Sequence, residues 1–251
     1  MSTLVNSVAS LEALAPAFRQ RLQSMYSGEQ QPGKKGLVEL DKTTRISEPQ
    51  GMWIYDTCLK LKPKQSLEIG LAYGFSTIYI LAAINQTGFG HHTSLDPFQQ
   101  DAWHGVGSLQ AEHLEMEHSF RFLEEFSVSA LARFAIQKDE FEFIYIDGNH
   151  RFDDVFVDFT LSAEVCPIGG NIILDDMWMP SIQTAVSWIR SNRMDFREIP
   201  TPIQNIAQFE RKGRDGRNWN HFVPFFPANA PAKQPTLSKR LARRLRRMLA
   251  R

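Results

Sequence analysis

Apolar and polar positions along the chain fall into two periods. Residues 7–27 place Val8, Leu11, Leu14, Ala15, Phe18 and Leu22 at helical spacing and predict an amphipathic helix. A Gly/Pro/Lys-rich loop, "SGEQQPGKKG", follows, and a second helix is predicted from about Pro49 to Leu61. Then short apolar runs alternate with helix-length segments. "SLEIG", "HHTSLDPF", "FRFLEEF", "FEFIYID" and "NIILDD" read as strands. "FSTIYILAAINQ", a stretch around 107–117, "SVSALARFAIQ", "RFDDVFVDFTLSAEV" and "SIQTAVSWIRSN" read as helices between and after them. Strands separated by helices of about a dozen residues make βαβ units, hence a parallel sheet with right-handed crossovers. "IQNIAQFER", "KGRDGRN" and "WNHFVPFF" read as a closing hairpin of two further strands.

Composition adds one domain with extensions: 251 residues, 43% hydrophobic and 22% charged. No apolar run is long enough to span a bilayer. The start "MSTLVNSVAS" lacks the basic and apolar regions of a secretory signal. Cys58 and Cys166 stand far apart, outside any C-x-x-C pattern, and are expected as reduced buried thiols of a cytoplasmic protein.

Charge changes the picture at the C-terminus. The formal total is zero, yet residues 233–251 carry eight Lys/Arg and no acid. The remainder has 20 basic against 28 acidic residues, about −8. "LSKRLARRLRRMLAR" sets Leu237, Leu241, Leu245, Met248 and Leu249 on one helical face among arginines. Such a basic amphipathic helix is expected either to lie on an anionic membrane surface, at the inner face, or to dock on the acidic body or a second subunit of a homo-oligomer; nucleic acid is a weaker alternative. The organisation is therefore an N-terminal helical cap and loop (1–47), a main domain (48–226), and a Pro/Ala linker with the tail helix (227–251).

Candidate chemistry lies at strand ends, where doubly wound sheets bind ligands. The first strand-to-helix loop, "EIGLAYGFST", carries Gly70 and Gly74, and the next strand ends on Asp96, 26 residues after Gly70. The alternative is a packing turn. The loop is G-x-x-x-G with Ala72 where a dinucleotide fingerprint has its middle glycine, which argues against NAD. Glu68 would repel a pyrophosphate but suits a cationic amino group or sulfonium, which points to S-adenosylmethionine. Asp96 can accept both hydroxyls of a ribose. Asp147 ends the fourth strand, and Asp175 and Asp176 end the fifth; neighbouring parallel strands lie roughly 5 Å apart, so these carboxylates can converge on a hard cation such as Mg²⁺. A helix N-cap is the ordinary alternative for Asp147. Asp153 and Asp154 fit the first helical turn, where acids complement the dipole. Trp103, His104 and Trp178 either wall an acceptor pocket or pack.

On "QGMWIY", "LEIGLAYGFST", "SLDPF", "FIYIDGNHRFDDVFVDF" and "GGNIILDDMWMPS", which span about residues 48 to 190, the chain resembles the class I S-adenosylmethionine-dependent methyltransferases. It is most similar to the metal-dependent branch with catechol-type and macrocin-type O-methyltransferases. The resemblance implies an α/β, Rossmann-like, doubly wound seven-stranded sheet, mostly parallel with its last strand antiparallel. It implies that Glu68 and Gly70 face the methionine part of the cofactor, that Asp96 binds its ribose, and that the segment from Glu125 to Ser127 lies near the adenine; Gly74, having no side chain, allows a close approach to a ligand or to the sheet. It implies Mg²⁺ on Asp147, Asp175 and Asp176, and His150 as the base, neutral near pH 7, toward a hydroxylated small molecule such as a sugar or glycosylated metabolite. A metal-independent methyltransferase, a tethered non-catalytic cofactor-binding protein and an NAD-linked oxidoreductase are the competing expectations.

Overall fold

The computed structural model describes residues 10–225. The first residues of the predicted N-terminal helix, and the linker and tail helix, lie outside the described residues.

The predicted 7–27 helix begins later. A 3₁₀ turn, Leu11–Ala13, precedes α1, Pro16–Ser27. Pro16 lacks an N–H and its ring would clash with an earlier turn, so it starts a helix but cannot sit inside one. The Gly/Pro/Lys loop contains a small hairpin that the pattern does not show: β1, Gln31–Gly33, against β2, Gly36–Val38.

Helix α2, Glu48–Leu61, opens with the Ser47 side chain accepting from the Gln50 N–H, and with Pro49 in its first turn. It lies on α3, Phe75–Thr87, whose residues 75–84 are all buried. Buried on all sides, α3 needs close neighbours, and Gly51 supplies one: a Cβ there would sit 2.0 Å from the Tyr79 ring.

The sheet contains β3 (Gln65–Ile69), β4 (His91–Leu95), β5 (Phe120–Leu123), β6 (Phe143–Ile146), β7 (Asn171–Leu174), β8 (Phe196–Ile199) and β9 (Ala207–Arg211). The order is β5-β4-β3-β6-β7-β9-β8, and β9 runs antiparallel to both neighbours. This is the expected seven-stranded, mostly parallel sheet with its last strand antiparallel. The connecting helices are α4 (Gln110–His113), α5 (Ser127–Gln137), α6 (Phe152–Val165) and α7 (Pro180–Asn192). The predicted stretch 107–117 holds only the short α4 between 3₁₀ turns.

The closing hairpin needs correction. "IQNIAQFER" supplies β9, but its partner is the preceding "FREI", not "WNHFVPFF". The edge strand β8 exposes Arg197 and Glu198 and hides its signal in four residues. The "WNHFVPFF" segment carries Pro224, which cannot donate to a ladder. It is strapped to α7 instead: Asn192 donates to the Val223 carbonyl at 2.9 Å and accepts its N–H at 2.8 Å.

Two buried clusters flank the sheet, one built with α1–α4 and one with α5–α7. Cys58 and Cys166 are free and buried. No helix among the described residues is long and apolar enough to cross a membrane. From β3 the chain moves outward to β4 and β5, then returns to β6 on the other side of β3. The loops after β3 and β6 therefore meet at the switch in strand order. At Gly70, with φ +94°, a Cβ would stand 2.1 Å from the Asp147 carbonyl oxygen. No side chain fits there, so glycine sets how closely the two loops approach.

Candidate active site

A cavity of about 680 Å³ opens at the carboxyl ends of β3, β4, β5 and β6, with Gly70, Asp96, Trp103, Ser127 and Asp147 among its walls. Asp96 is buried. Its Oδ2 accepts from the Ala72 N–H at 2.9 Å and from Gln99 Nε2 at 3.0 Å, while Oδ1 accepts from the Phe98 N–H at 2.8 Å. Ala72 holds φ +45°, the left-handed region, where the loop turns over Asp96. Gln99 also donates to the Ala72 carbonyl at 2.7 Å. One side chain thus ties the loop after β3 to the loop after β4.

Two sequence-predicted residues stand away from this cavity. Gly74, with φ +84°, begins α3, and a Cβ there would be 2.7 Å from Gln110 Cγ. Glu68 alternates with Ile69 along β3, so its side chain enters the layer under α3. There Ser76 and Thr77 donate their hydroxyls to it, Ser94 donates at 2.8 Å, and His92 Nε2 lies 3.5 Å away. Its side chain is fully buried. Trp103 packs edge-on against Tyr73 at the cavity wall, whereas His104 serves through its backbone, accepting from the Lys34 N–H at 2.9 Å.

At the ends of β6 and β7 the structure brings Asp147, His150 and Asp176 together. One candidate ligand atom from each lies within 4.8 Å of the others. His150 Nε2 is 2.8 Å from Asp176 Oδ2 and 3.4 Å from Asp147 Oδ1. Asp176 sits at φ +58°, a conformation non-glycine residues rarely adopt; such backbone persists only where its surroundings fix it. Trp178 Nε1 and Asn205 Nδ2 donate to its Oδ1 at 2.8 and 3.2 Å.

Asp175 is turned to the protein. Its Oδ2 accepts from the Tyr145 hydroxyl at 2.6 Å and from Gln50 Nε2 at 2.7 Å. Its Oδ1 accepts from the Asp176 N–H at 2.6 Å and from Asn205 Nδ2 at 2.8 Å. Gln50, Tyr145 and Asn205 escape sequence reading. Only the fold carries Gln50 to a carboxylate 125 positions away.

The charges follow from these contacts. Burial, then the nearby Asp175, push the Asp147 carboxyl well above the usual carboxylate range. Burial pushes Asp175 up to about 6, against the pull of the Tyr145 hydrogen bond. Burial also acts on Asp176, but hydrogen bonds from His150, Asn205 and Trp178 outweigh it and leave that carboxyl below its ordinary value. Hydrogen bonding to Asp147 and Asp176 raises His150 to about 10. With no cation beside it, the His150 imidazole keeps its proton more readily than an ordinary one, because Asp147 and Asp176 accept from it. Burial and the neighbouring carboxylates make it costly to ionise Asp147 beside Asp175 and Asp176, a cost that a bound cation would relieve. The site's donor set, two carboxylates and an imidazole at an open cavity, fits a divalent cation.

Residues 67–177 match the family model of a methyltransferase domain. The fold is the one that solved methyltransferase structures share. A SAH-bound methyltransferase of Podospora anserina superposes with TM-score 0.61 at 16% identity, covering 80% of this chain and 89% of its own. An O-methyltransferase of Bacillus cereus, in complex with SAH, gives 0.58 at 15% identity, over 80% and 94%. The cofactor-bound Rv0187 of MTB gives 0.57 at 16%, over 85% and 94%. No curated relative matches the sequence significantly.

Proposed function

We propose that the protein is an S-adenosylmethionine-dependent O-methyltransferase that uses a divalent cation, Mg²⁺ by preference, on a small hydroxylated acceptor such as a sugar or glycosylated metabolite. One observation carries this reading: the convergence of Asp147, His150 and Asp176 beside the cavity walled by Gly70 and Asp96. The Bacillus cereus relative in structure is an O-methyltransferase with SAH bound, which supports the same cofactor class here.

Asp96 is the proposed ribose acceptor, and Ser127 stands at the adenine side. Asp147 and Asp176 are the proposed cation ligands. Asp175, itself held by Gln50 and Tyr145, fixes Asp176 through its N–H and through Asn205, and can join the ligands only by giving up hydrogen bonds. When bound, S-adenosylmethionine supplies an electrophilic methyl group. When bound, a divalent cation supplies Lewis acidity that lowers the pKa of a hydroxyl it touches. The chain's own groups do the rest. The loops after β3, β4 and β6 wall the place where an acceptor oxygen would have to line up with the methyl carbon. His150 Nε2 is the atom placed to take the hydroxyl proton, once Asp147 and Asp176 no longer share its N–H.

A second reading, metal-independent transfer, is favoured by one fact: His150 already neutralises part of the acid cluster by itself. A screen of methyl transfer from labelled S-adenosylmethionine to hydroxylated acceptors, with Mg²⁺ and with EDTA, separates the two. The leading reading expects transfer that EDTA abolishes and Mg²⁺ restores. Full activity in EDTA would leave the acids as positioning groups only.

A further inference from the structure

The cavity has a second buried carboxylate that the reaction above does not use. Asp158, on α6, lines the wall and is only 4% exposed. It shares a helix face with Asp154, one turn earlier. The two differ in their partners. Asp154 receives Asn149 Nδ2 and Arg151 Nε, both at 2.7 Å. Asp158 receives the Ser127 hydroxyl, and among the described residues no Lys, Arg or His pairs with it. A carboxylate has about four acceptor positions, and the one donor identified for this one is the Ser127 hydroxyl. Burial pushes its carboxyl up to about 6, as expected for an acid waiting for a donor.

The rim beside it is apolar and open. Phe98, Phe126, Val128 and Val157 line the same cavity and are among the exposed large hydrophobic residues of the chain. Phe98 and Phe126 meet edge to face with centroids 5.8 Å apart. Helix α5 starts next to them without a side-chain cap, which leaves backbone N–H groups at the cavity edge. A flat ring with apolar faces, an amino donor and a ring-nitrogen acceptor on one edge satisfies all three features.

We infer that Asp158 is the specificity-determining residue for the base of the cofactor, accepting a hydrogen bond from the exocyclic amino group of adenine and rejecting a base that presents a carbonyl there. The inference rests on the cofactor reading of the proposed function. A 6-oxo base turns an acceptor toward a carboxylate, so neither group finds a proton and the contact is repulsive. An amide at position 158 can present its NH₂ instead.

The test is calorimetric titration of the full chain with S-adenosylhomocysteine and with S-inosylhomocysteine, for the unaltered protein and for Asp158→Asn. The unaltered chain is expected to prefer the adenosyl compound by about tenfold to a hundredfold. Asp158→Asn is expected to shrink that preference to within about threefold, mainly by weakening the adenosyl compound. The ratio of two ligands on one protein cancels any general loss of folded material. Equal binding of the two compounds by the unaltered chain overturns the inference, and this arm needs no variant. An unchanged ratio in Asp158→Asn also overturns it, while leaving the cofactor reading standing. Failure of the unaltered chain to bind either compound overturns both.

Discussion

Glu68 and Asp176 are both acids near the carboxyl end of a buried parallel strand, yet they do opposite things. Glu68 is enclosed by Ser76, Thr77, Ser94 and His92, all of them buried, and spends its oxygens on binding α3 and β4 to β3. Asp176 lies just past its strand in a left-handed turn, half-buried, sharing an imidazolium with Asp147 at an open cavity. Being an acid at a strand end does not make a site. What decides is which side of the sheet the side chain enters and whether neutral hydroxyls or other charges meet it there.

The largest expected effect separates the two acids by activity. Asp176→Asn should lower methyl transfer about a thousandfold, several kcal/mol of barrier, with the denaturation midpoint nearly unchanged. Glu68→Ala should do the reverse. It strands four buried polar groups and should cost about 3 kcal/mol or more of stability, read from urea denaturation, while molecules that remain folded still bind S-adenosylhomocysteine. If Glu68→Ala keeps its stability but loses cofactor binding, the contrast drawn between these acids collapses.

Asp158 tests a third kind of buried acid, one with a hydroxyl partner and, among the described residues, no cationic one. Its folded value of about 6 lies above the roughly 4 expected of an unfolded chain. A raised carboxyl favours the folded state only while protonated, so the penalty is absent below about pH 4 and complete above about pH 6. Asp158→Asn should therefore be more stable than the unaltered chain at pH 7.5, by at most about 3 kcal/mol, and no more stable at pH 4. Urea titrations at the two pH values check this. The smallest effect is expected from Gln50→Leu. It removes donors to Asp175 and the Tyr145 hydroxyl and should slow transfer about tenfold through misplacement of Asp175 and Asp176, with cofactor affinity unchanged.

The sequence shows part of this contrast. Strong alternation of strands and helices places the ends of β6 and β7 side by side, and so predicts that Asp147, Asp175 and Asp176 converge; it does not show that Asp175 turns to Gln50 and Tyr145 while His150 joins the other two. The enclosure of Glu68 is not visible, because it depends on register. Ser66 lies opposite His92, and Glu68 opposite Ser94. These pairs form a buried polar stripe only after β3 and β4 align. Asn205 and Tyr145 are hidden for a similar reason: each reaches Asp175 across 30 positions, through a loop or a neighbouring strand. Strand β8 is missed because four residues with two exposed charges give an edge strand almost no hydrophobic signal.

The central claim is that Asp147 and Asp176 hold a divalent cation in working enzyme and a proton-bearing His150 without it. Nuclear magnetic resonance of the His150 ring, at pH 8 with S-adenosylhomocysteine present, reads this directly. Without metal the ring should be protonated, its pKa raised to about 10 by the two carboxylates. Adding millimolar Mg²⁺ should release that proton and return the ring toward its ordinary titration. A ring that stays protonated and unmoved through the Mg²⁺ titration would contradict the account.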